Sequence, residues 1–343
     1  MDWDKIDAVQ RMQDYIVSHL DGEITLEALG QTAGYSSFYC IRIFKELTGK
    51  TPFDYIRALR LTRAAQTLRD SGERVLDVAL ESGFNSQDGF ARAFARRFAI
   101  APREYRRALP PVSYFTYYPI RHACLMMAEQ QALPQERMEQ MMTQERNNAL
   151  QPERPAHTVP GTVTVTRVER PARRLILLRA KEAADYMTYC GEMGCDWEGL
   201  LNSIPEKLDL AALLTLPRPL IRPGTSGCAA GVEVPADYAK PLPEGYEALD
   251  LPPCTMLYFQ GMPFERDEDF CTAIEIVAEA IAGYPLAQYG LELDADAAPR
   301  FNFGAGAKNG AKMALPVRQA KRLIIYKPPK RRRCDCRISY FSV

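Results

Sequence analysis

A pattern of apolar and small residues occurs twice in the first hundred residues of this 343-residue chain. The copies share an apolar residue, a small residue and a glycine, 49 positions apart: Leu29, Gly30 and Gly34, then Val78, Ala79 and Gly83. After the glycine the offset becomes 50, as at Phe44 and Phe94, so one residue has been added near the second turn. Glycine adopts a left-handed backbone without a steric penalty. Each copy therefore predicts a helix, a tight turn at the glycine, and a second helix.

The residues around each turn predict how the two helices pack. The small residue lets the second helix cross the first closely. Tyr35 or Phe84, directly after the glycine, is predicted to fill the core between the helices. Ser36, and either Asn85 or Ser86, are suitable N-caps for the second helix.

The second helix of each copy is amphipathic. Its pattern predicts that Cys40, Ile43 and Phe44, or Phe90 and Phe94, are buried, and that Arg42 or Arg92 lies on the outer face. Two crossed helices joined by a tight turn form the geometry that places a helix in a DNA major groove. The alternative is a helical repeat without a DNA role. Repeat architectures normally need three or more copies to bury a continuous core, and this chain has two.

One long helix is predicted between the two copies. Thr51 and Pro52 favour its start, apolar residues recur at helical spacing as far as Leu68, and Ser71 with Gly72 favours its end. At about 1.5 Å per residue, such a helix would hold the two outer helices about one DNA turn apart.

Two stretches carry a family resemblance: AGYSSFYCIRIFKELTGKTPFDYIR at 33–57 and VLDVALESGFNSQDGFARAFARRFAIAPREYR at 75–106. On these motifs, residues 8–107 resemble the DNA-binding module of the AraC/XylS transcription regulators. The resemblance implies an all-α domain over 1–107 with seven helices and two helix-turn-helix motifs. It implies a cytoplasmic regulator that binds double-stranded DNA, with RNA polymerase as a further candidate partner.

The resemblance also gives candidate base-contacting residues by position: Phe38, Ile41 and Arg42 in the first recognition helix, and Gln87, Asp88 and Arg92 in the second. Arginine can donate two hydrogen bonds to guanine, and glutamine can bind adenine in the same bidentate way. Phe38 and Ile41 can pack only on thymine methyl groups or sugars. Asp88 faces a polyanion, so it either caps its helix or accepts from cytosine. An exposed arginine on a helix is often only solvated.

Composition limits how the chain can bind DNA. The formal net charge is zero, so contact must come from a local basic patch that contains Arg92, Arg96, Arg97, Arg103, Arg106 and Arg107. Arg96 completes the candidate DNA-binding set. The sequence contains no run of 18 apolar residues, so we expect no membrane span. The acidic, amphipathic N-terminus is unlike a signal peptide.

Cysteine and histidine usage predicts neither a metal site nor a cofactor. The nine cysteines are scattered, and only Cys334 and Cys336 are close together, one residue short of the usual C-x-x-C spacing. Cys40 and Cys271 fall on apolar helical faces and are predicted core residues. The three histidines lie in different segments. We expect reduced thiols, as in cytoplasmic proteins.

A proline-punctuated linker is predicted over 108–160, with a short helix at 135–147 that carries a methionine stripe. Such a stripe serves packing more often than recognition, and a dimer contact is the alternative. We expect residues 1–107 to fold without this segment.

The pattern changes to strands after residue 161. Alternation predicts a hairpin of 162–168 and 174–179, then a helical region over 183–208 with interruptions at Gly191, Gly194 and Gly199. Strands follow at 228–234 and 255–260, a helix at 267–282, and strands at 300–303 and 312–317. Strand, helix and strand thus occur twice in this order. This repeat predicts an α+β domain over 161–322 with a pseudo-two-fold axis and a groove that suits a small molecule.

This half is similar to the gyrase-inhibitor-like (GyrI-like, SOUL/haem-binding-like) effector domains that follow some AraC modules. The supporting stretches are VTVTRVERPARRLILLR, DWEGLL, PPCTMLYFQG and MALPV. The resemblance implies a groove for aromatic, often cationic, compounds, with a glutamate on the last strand. Lys312 or Met313 stands at that position here, so we expect a neutral or anionic aromatic effector. The candidate liners, each of which has a core alternative, are Tyr186, Tyr189, Trp197, Phe259, Phe303 and Met313.

The chain ends in a tail, 323–343, with a basic run at 327–333 that predicts disorder.

Two other functions are alternatives to transcription regulation. The first is a hydrolase, because some relatives of the effector domain are hydrolases that use a glutamate and a tyrosine. The second is a drug-sequestering protein whose DNA module is vestigial. The missing glutamate argues against the hydrolase, and Arg42 and Arg92 argue against the second. No catalytic residue is assigned.

Overall fold

The computed structural model describes residues 2–125, 161–266 and 269–320. The predicted helix at 135–147 and the tail at 323–343 lie outside the described residues, as do Cys334 and Cys336. Those interpretations therefore stay predictions.

Residues 2–108 contain seven helices: α1 (Trp3–Ser18), α2 (Leu26–Ala33), α3 (Ser37–Thr48), α4 (Pro52–Asp70), α5 (Val75–Glu81), α6 (Gln87–Phe98) and α7 (Pro102–Ala108). The long helix predicted between the two copies is α4. The Thr51 side chain caps its start by accepting a hydrogen bond from the Asp54 amide, and Ser71 ends it. In this part of the chain, the helix number implied by the family resemblance is confirmed.

Both turns contain the predicted left-handed glycine, with φ of 78° at Gly34 and 77° at Gly83. A Cβ added at Gly30 would lie 3.0 Å from the Tyr35 carbonyl oxygen, so the helix crossing needs a small residue there. The prediction for Tyr35 is wrong. Its side chain is 38% exposed, because Leu29 and buried neighbours from α3 already fill the core. Phe84 does pack inward, against Phe90.

The helical half has two apolar cores. One lies among α1, α2, α3 and the start of α4, and the other among the rest of α4, α5, α6 and α7. The middle helix contributes Tyr55 and Ile56 to the first core, and Leu61 and Leu68 to the second. One continuous helix therefore fixes the two helix-turn-helix units relative to each other.

Residues 109–121, which we call the strap, pack on the helices although they fall within the predicted linker. Val112 and Tyr114 are both 5% exposed and belong to the second core. The Phe115 amide donates to the Thr62 hydroxyl at 2.8 Å. Farther along, the Gln13 side chain donates to the Tyr118 carbonyl at 3.1 Å.

The second half is built on one antiparallel sheet, whose described strands are β1 (Val163–Arg170), β2 (Arg173–Arg179), β3 (Ala212–Thr215), β4 (Cys228–Pro235), β5 (Glu247–Leu251), β6 (Cys254–Gly261), β7 (Leu291–Leu293), β8 (Arg300–Gly306) and β9 (Gly310–Gln319). The strand order is β1-β6-β9-β8-β3-β4-β2-β5, and β7 also pairs with β9. The strand order is symmetric about the central β3–β8 pair. On one side β4 is followed by β2, and on the other side β9 is followed by β6. This symmetry agrees with the predicted strand-helix-strand repeat.

The predicted hairpin between the first two strands is wrong. β1 pairs with β6, whereas β2 pairs with β4 and β5, so the two lie near opposite ends of the sheet. Leu175, Ile176 and Leu177 are all fully buried. A strand that is apolar on both faces needs neighbours on both sides, whereas β1 alternates in burial as an edge strand does.

Three further helices pack on the sheet: α8 (Tyr186–Met193), α9 (Trp197–Asn202) and α10 (Phe270–Gly283). Of the three glycines predicted to interrupt 183–208, only Gly194 separates helices, with φ of 77°. Cys40 and Cys271 were both predicted to be core residues. Cys40 is fully buried, whereas Cys271 in α10 is only half-buried.

The sheet face opposite to α8, α9 and α10 carries a core of its own, and we call it the concave face. Its core contains Leu177 of β2 and Met256 of β6. The Arg173 guanidinium on β2 donates to the Cys254 sulfur on β6 at 3.2 Å. Strands that are distant in the sheet order therefore meet across this face, so the sheet curves around a core of buried side chains.

Candidate nucleic-acid interface

The outer face of α3 carries the first predicted contact set. Phe38 is 88% exposed, and it lies with Ile41, Arg42, Lys45 and Glu46 around one shallow depression. The opposite side of the helix is buried in the first core. Burial on one side therefore aims all three predicted residues, Phe38, Ile41 and Arg42, away from the protein.

The outer face of α6 carries the second set. Phe90, Phe94 and Phe98 are buried, which turns Arg92 and Arg96 outward as exposed side chains. Asp88 is exposed and Gln87 is half-buried in the first turn.

The cap of α6 is Ser86, whose hydroxyl accepts from the Gly89 amide at 3.2 Å. The suggestion that Asp88 caps this helix is therefore wrong. A Cβ at Gly89 would lie 3.1 Å from the Ser86 hydroxyl oxygen, so the glycine also leaves room for the cap.

A basic groove lies between α4 and α6. Its lining includes Lys50, Arg57, Arg92, Arg96 and Arg97. Two of these cations are engaged within the protein. Arg57 pairs with Asp54 at 3.3 Å, and Arg97 donates to the Ser113 carbonyl of the strap at 3.0 Å.

Three other arginines on α3 and α6 have no carboxylate beside them to neutralise their charge in the described residues. Within the described part of the chain, no carboxylate pairs with Arg42, Arg92 or Arg96. The Arg42 guanidinium lies 4.8 Å from the centre of the Tyr39 ring, a contact that leaves its charge in place. These three arginines can therefore attract a polyanion without first breaking an ion pair.

Two basic residues at this interface were absent from the sequence prediction. Lys45 lies beside Arg42, and Lys50 lies in the groove beyond the end of α3. The signal for Lys45 was its position three residues after Arg42 on the same helix face. Arg106, which was predicted to belong to the basic patch, donates to the Glu73 carbonyl at 2.8 Å.

The structure does not bring the six predicted effector liners together. Tyr186, Tyr189 and Trp197 lie in the core beneath α8 and α9, Phe259 and Met313 in the core beneath α10, and Phe303 on the concave face. Tyr189 and Phe259 are 0% and 1% exposed, and Trp197 is 5% exposed. These three are core side chains because each is needed to seal a helix onto the sheet.

A polar cluster occupies the concave face instead. Lys312 pairs with Asp209 at 2.7 Å and lies 4.4 Å from the ring centre of Phe303 and 5.0 Å from that of Tyr258. Burial raises the pKa of Tyr258 to about 12. Arg170 adds a second cation that contacts the Tyr258 hydroxyl. Of the two residues at the expected glutamate position, Lys312 therefore faces the cluster and Met313 packs under α10.

Neither a metal site nor a membrane span is found in the residues the structure describes. No group of three or more histidine, cysteine, aspartate or glutamate side chains there is placed to hold a metal ion. No helix among residues 2–125, 161–266 and 269–320 has the length and apolarity needed to span a bilayer.

Comparisons with known proteins concern the helical half. A helix-turn-helix domain model matches residues 29–108. The chain is 38% identical over 105 residues to the Right origin-binding protein of Escherichia coli (strain K12), a match that covers 31% of this chain and 36% of that protein. The chain thus spans about a third of the length of that relative.

Two shorter relatives are matched over more of their length. The Transposon Tn10 TetD protein of Escherichia coli is 42% identical over 93 residues, which is 27% of this chain and 67% of that protein. The regulatory protein SoxS of Escherichia coli (strain K12) is 36% identical over 101 residues, which is 29% of this chain and 94% of SoxS.

Among solved structures, the DNA-binding domain of AdpA in complex with a target DNA is 28% identical, with coverage of 29% of this chain and 90% of that chain and a TM-score of 0.28. The matched residues are those that form the two helix-turn-helix units, and SoxS is matched over nearly its whole length. The chain belongs to the AraC-type family of helix-turn-helix transcription regulators.

Proposed function

We propose that this chain is a sequence-specific DNA-binding regulator that inserts α3 and α6 into two successive major grooves on one face of the duplex. The observation that carries the proposal is the outer face of α3. There Phe38, 88% exposed, stands beside Arg42, which has no carboxylate partner among the residues that the structure describes. A large exposed aromatic side chain beside an exposed guanidinium that makes no ion pair with the described residues marks an interaction surface.

The second recognition helix supports the same function. Arg92 and Arg96 project from α6 without a carboxylate partner in the described residues, and the groove beside them adds Lys50. Arg42 and Arg92 are assigned to guanine, Gln87 to adenine, and Phe38 and Ile41 to thymine methyl groups. Arg96 and Lys50 are assigned to phosphates, which position the protein and carry little sequence information.

A selection of binding sites from random DNA tests this assignment. We expect a site with two conserved segments, and we expect Arg42→Ala and Arg92→Ala each to relax the base preference in a different segment at a cost of about 1–3 kcal/mol. Arg218→Ala is the matched control, since that arginine is also exposed but lies in the second half. If both variants select the wild-type site with wild-type affinity, the assignment is wrong.

The second half is proposed to bind a small aromatic effector, as its GyrI-like resemblance implies. The support is the polar cluster on the concave face, where two aromatic rings flank Lys312. Arg170, Arg173 and Lys312 face Asp209 and Glu233 there, which leaves an excess of one positive charge. A buried cation without a free carboxylate would be disfavoured by several kcal/mol, so the proposed ligand is neutral or anionic.

Titration of the full-length protein with matched cationic, neutral and anionic aromatic compounds tests the effector proposal. Lys312→Met should weaken the anionic compound most, because it removes the excess charge. Preferential binding of the cationic compound would show that the ligand preference is wrong.

The hydrolase alternative needs a free carboxylate in this cluster. Glu233 is paired with Arg173, and Asp209 is paired with Lys312, so neither is available as a base. The family is one of regulators, not enzymes. A contact with RNA polymerase stays a prediction.

A further inference from the structure

The strap contacts two of the cations that line the basic groove between α4 and α6. The Ser113 carbonyl accepts a hydrogen bond from the Arg97 guanidinium at 3.0 Å. The Lys50 ammonium lies 5.7 Å from the centre of the Phe115 ring, within the range of a cation–π contact. Both cations line the groove. Because neither a carbonyl nor an aromatic ring neutralises a charge, the strap can fix where these cations lie without cancelling their attraction for phosphate.

The middle helix holds this part of the strap from one side. The Phe115 ring packs edge-on against the Tyr55 ring, with the two centres 4.9 Å apart. The Phe115 amide also donates to the Thr62 hydroxyl at 2.8 Å. A displacement of the strap would therefore break contacts with α4 and move the ring on which the Lys50 ammonium lies.

The sheet half holds the strap from the other side, through α9 and the residue that follows it. The Val112 amide donates to the Ser203 hydroxyl at 2.9 Å, and both residues are buried. The Tyr118 hydroxyl donates to the Glu198 carboxylate at 2.5 Å. These two hydrogen bonds lie before and after the segment 113–115, which contacts the groove cations. The second half of the chain therefore fixes that segment at both of its ends.

The closest approach between α9 and the strap is at Gly199. The sequence predicts a helix interruption at this glycine, but it is a buried residue within α9. A Cβ added there would overlap the Tyr114 carbonyl oxygen. Tyr114 stands between Ser113 and Phe115, so any larger residue at position 199 would push on the segment that contacts the groove cations.

We propose that the strap is a positioning element for DNA binding: held by α9, it sets Lys50 and Arg97 to contact phosphates of the duplex. The proposal rests on the DNA-binding function proposed above and adds a contribution from the second half of the chain. The strap follows residues 29–108, which match the helix-turn-helix domain model. Phosphate contacts carry little sequence information. The strap therefore contributes to affinity and to its salt dependence, and α3 and α6 set the base preference.

Fluorescence anisotropy titrations of the selected DNA site with the full-length protein, at several potassium chloride concentrations, test this proposal. Gly199→Ala should lower the affinity. It should also make the plot of log affinity against log salt shallower by about 1–2, since each lost phosphate contact removes about 0.9 from the slope. The affinity ratio between the selected site and a site altered in the segment assigned to Arg92 should stay at its wild-type value. Gly191→Ala in α8 is the matched control, because a Cβ there meets no atom within 4 Å.

Substitution of the two cations tests whether the strap acts through them. Lys50→Gln and Arg97→Gln should each make the salt slope shallower by about 1. When Gly199→Ala is added to the double variant Lys50→Gln/Arg97→Gln, the slope should not change further. A further change of slope in that background would overturn the proposal, because the displaced strap would then act on other phosphate contacts.

Ser203→Ala makes the same test without adding an atom. It removes the acceptor of the buried Val112 amide, so it should shift affinity and salt slope in the same direction as Gly199→Ala, by a smaller amount. Urea denaturation identifies the variants that fold. Wild-type affinity and slope in the folded variants would overturn the proposal, and so would a lower affinity with an unchanged slope. A wild-type chain that prefers no DNA sequence would instead contradict the DNA-binding function itself.

Discussion

The hydroxyl groups of Tyr105 and Tyr114 share a hydrogen bond of 2.9 Å inside the second helical core. Tyr105 belongs to α7, and Tyr114 belongs to the strap. Both side chains are buried, at 0% and 5% exposure. The bond therefore fastens a segment that the sequence assigned to a linker onto the last helix of the DNA-binding half.

Tyr105→Phe should lower the free energy of unfolding by about 1–3 kcal/mol, because it leaves the buried Tyr114 hydroxyl without this partner. The double variant Tyr105→Phe/Tyr114→Phe should recover part of the loss, since both polar groups are then gone. Urea denaturation of the four proteins in this cycle measures the coupling. Additive effects of the two substitutions would show that the hydroxyls do not interact.

A fragment that ends at residue 107 should be less stable than one that ends at 121. The shorter fragment loses the burial of Val112 and Tyr114 and the hydrogen bond from Phe115 to Thr62. Burial of a large side chain contributes about 1.5–3 kcal/mol, so we expect a difference of several kcal/mol. Thermal denaturation followed by circular dichroism makes the comparison. Equal stability would support the domain boundary at 107 that the sequence predicts.

The sequence predicted the helical half well, because its signals are local. Gly34 and Gly83 end helices, Thr51 caps α4, and the apolar spacing identifies the buried faces. The strap escaped prediction because residues 109–121 have no helical or strand periodicity. Their burial at Val112 and Tyr114 depends on helices that are distant in sequence.

Stability should fall at alkaline pH. Burial is the main cause that raises the pKa of Tyr55, Tyr105 and Tyr114. In the unfolded chain these tyrosines ionise near pH 10, whereas in the folded protein they stay neutral. Their contribution is complete below about pH 10 and is lost above it, at about 1.4 kcal/mol per pH unit for each tyrosine.

Urea denaturation between pH 9 and pH 11.5 measures this slope, in the range that the ordinary tyrosine pKa of about 10 defines. Tyr55→Phe should reduce the slope above pH 10 by one tyrosine's share, whatever it does to stability at neutral pH. An unchanged slope would mean that Tyr55 ionises as readily in the folded protein as in the unfolded chain.

Ser86→Ala should lower the free energy of unfolding by about 1 kcal/mol, because it removes the hydroxyl that caps α6. Ser36 occupies the same position before α3 but makes no side-chain capping hydrogen bond. Ser36→Ala is therefore a matched control with a smaller expected loss. Chemical denaturation compares the two variants, and equal losses would contradict the capping assignment.

The second half was predicted in outline only. Six strands were predicted in the right order, because runs such as β2 and β6 are strongly apolar, whereas the short strands β3, β5 and β7 were not predicted. The partner of β1 was not predicted either, because strand pairing depends on contacts between distant segments, such as Val165 with Phe259. The six predicted effector liners are separated in the structure for a related reason. Aromatic side chains such as Trp197 and Phe259 are equally suited to a core and to a groove, and only packing distinguishes the two.

We expect α3 and α6 to enter two successive major grooves. Hydroxyl-radical footprinting of the full-length protein on a selected site measures this most directly. We expect two protected segments on one face of the duplex, about 10 base pairs apart, with Arg42→Ala weakening one and Arg92→Ala the other. Protection confined to a single groove, or both substitutions weakening the same segment, would contradict it.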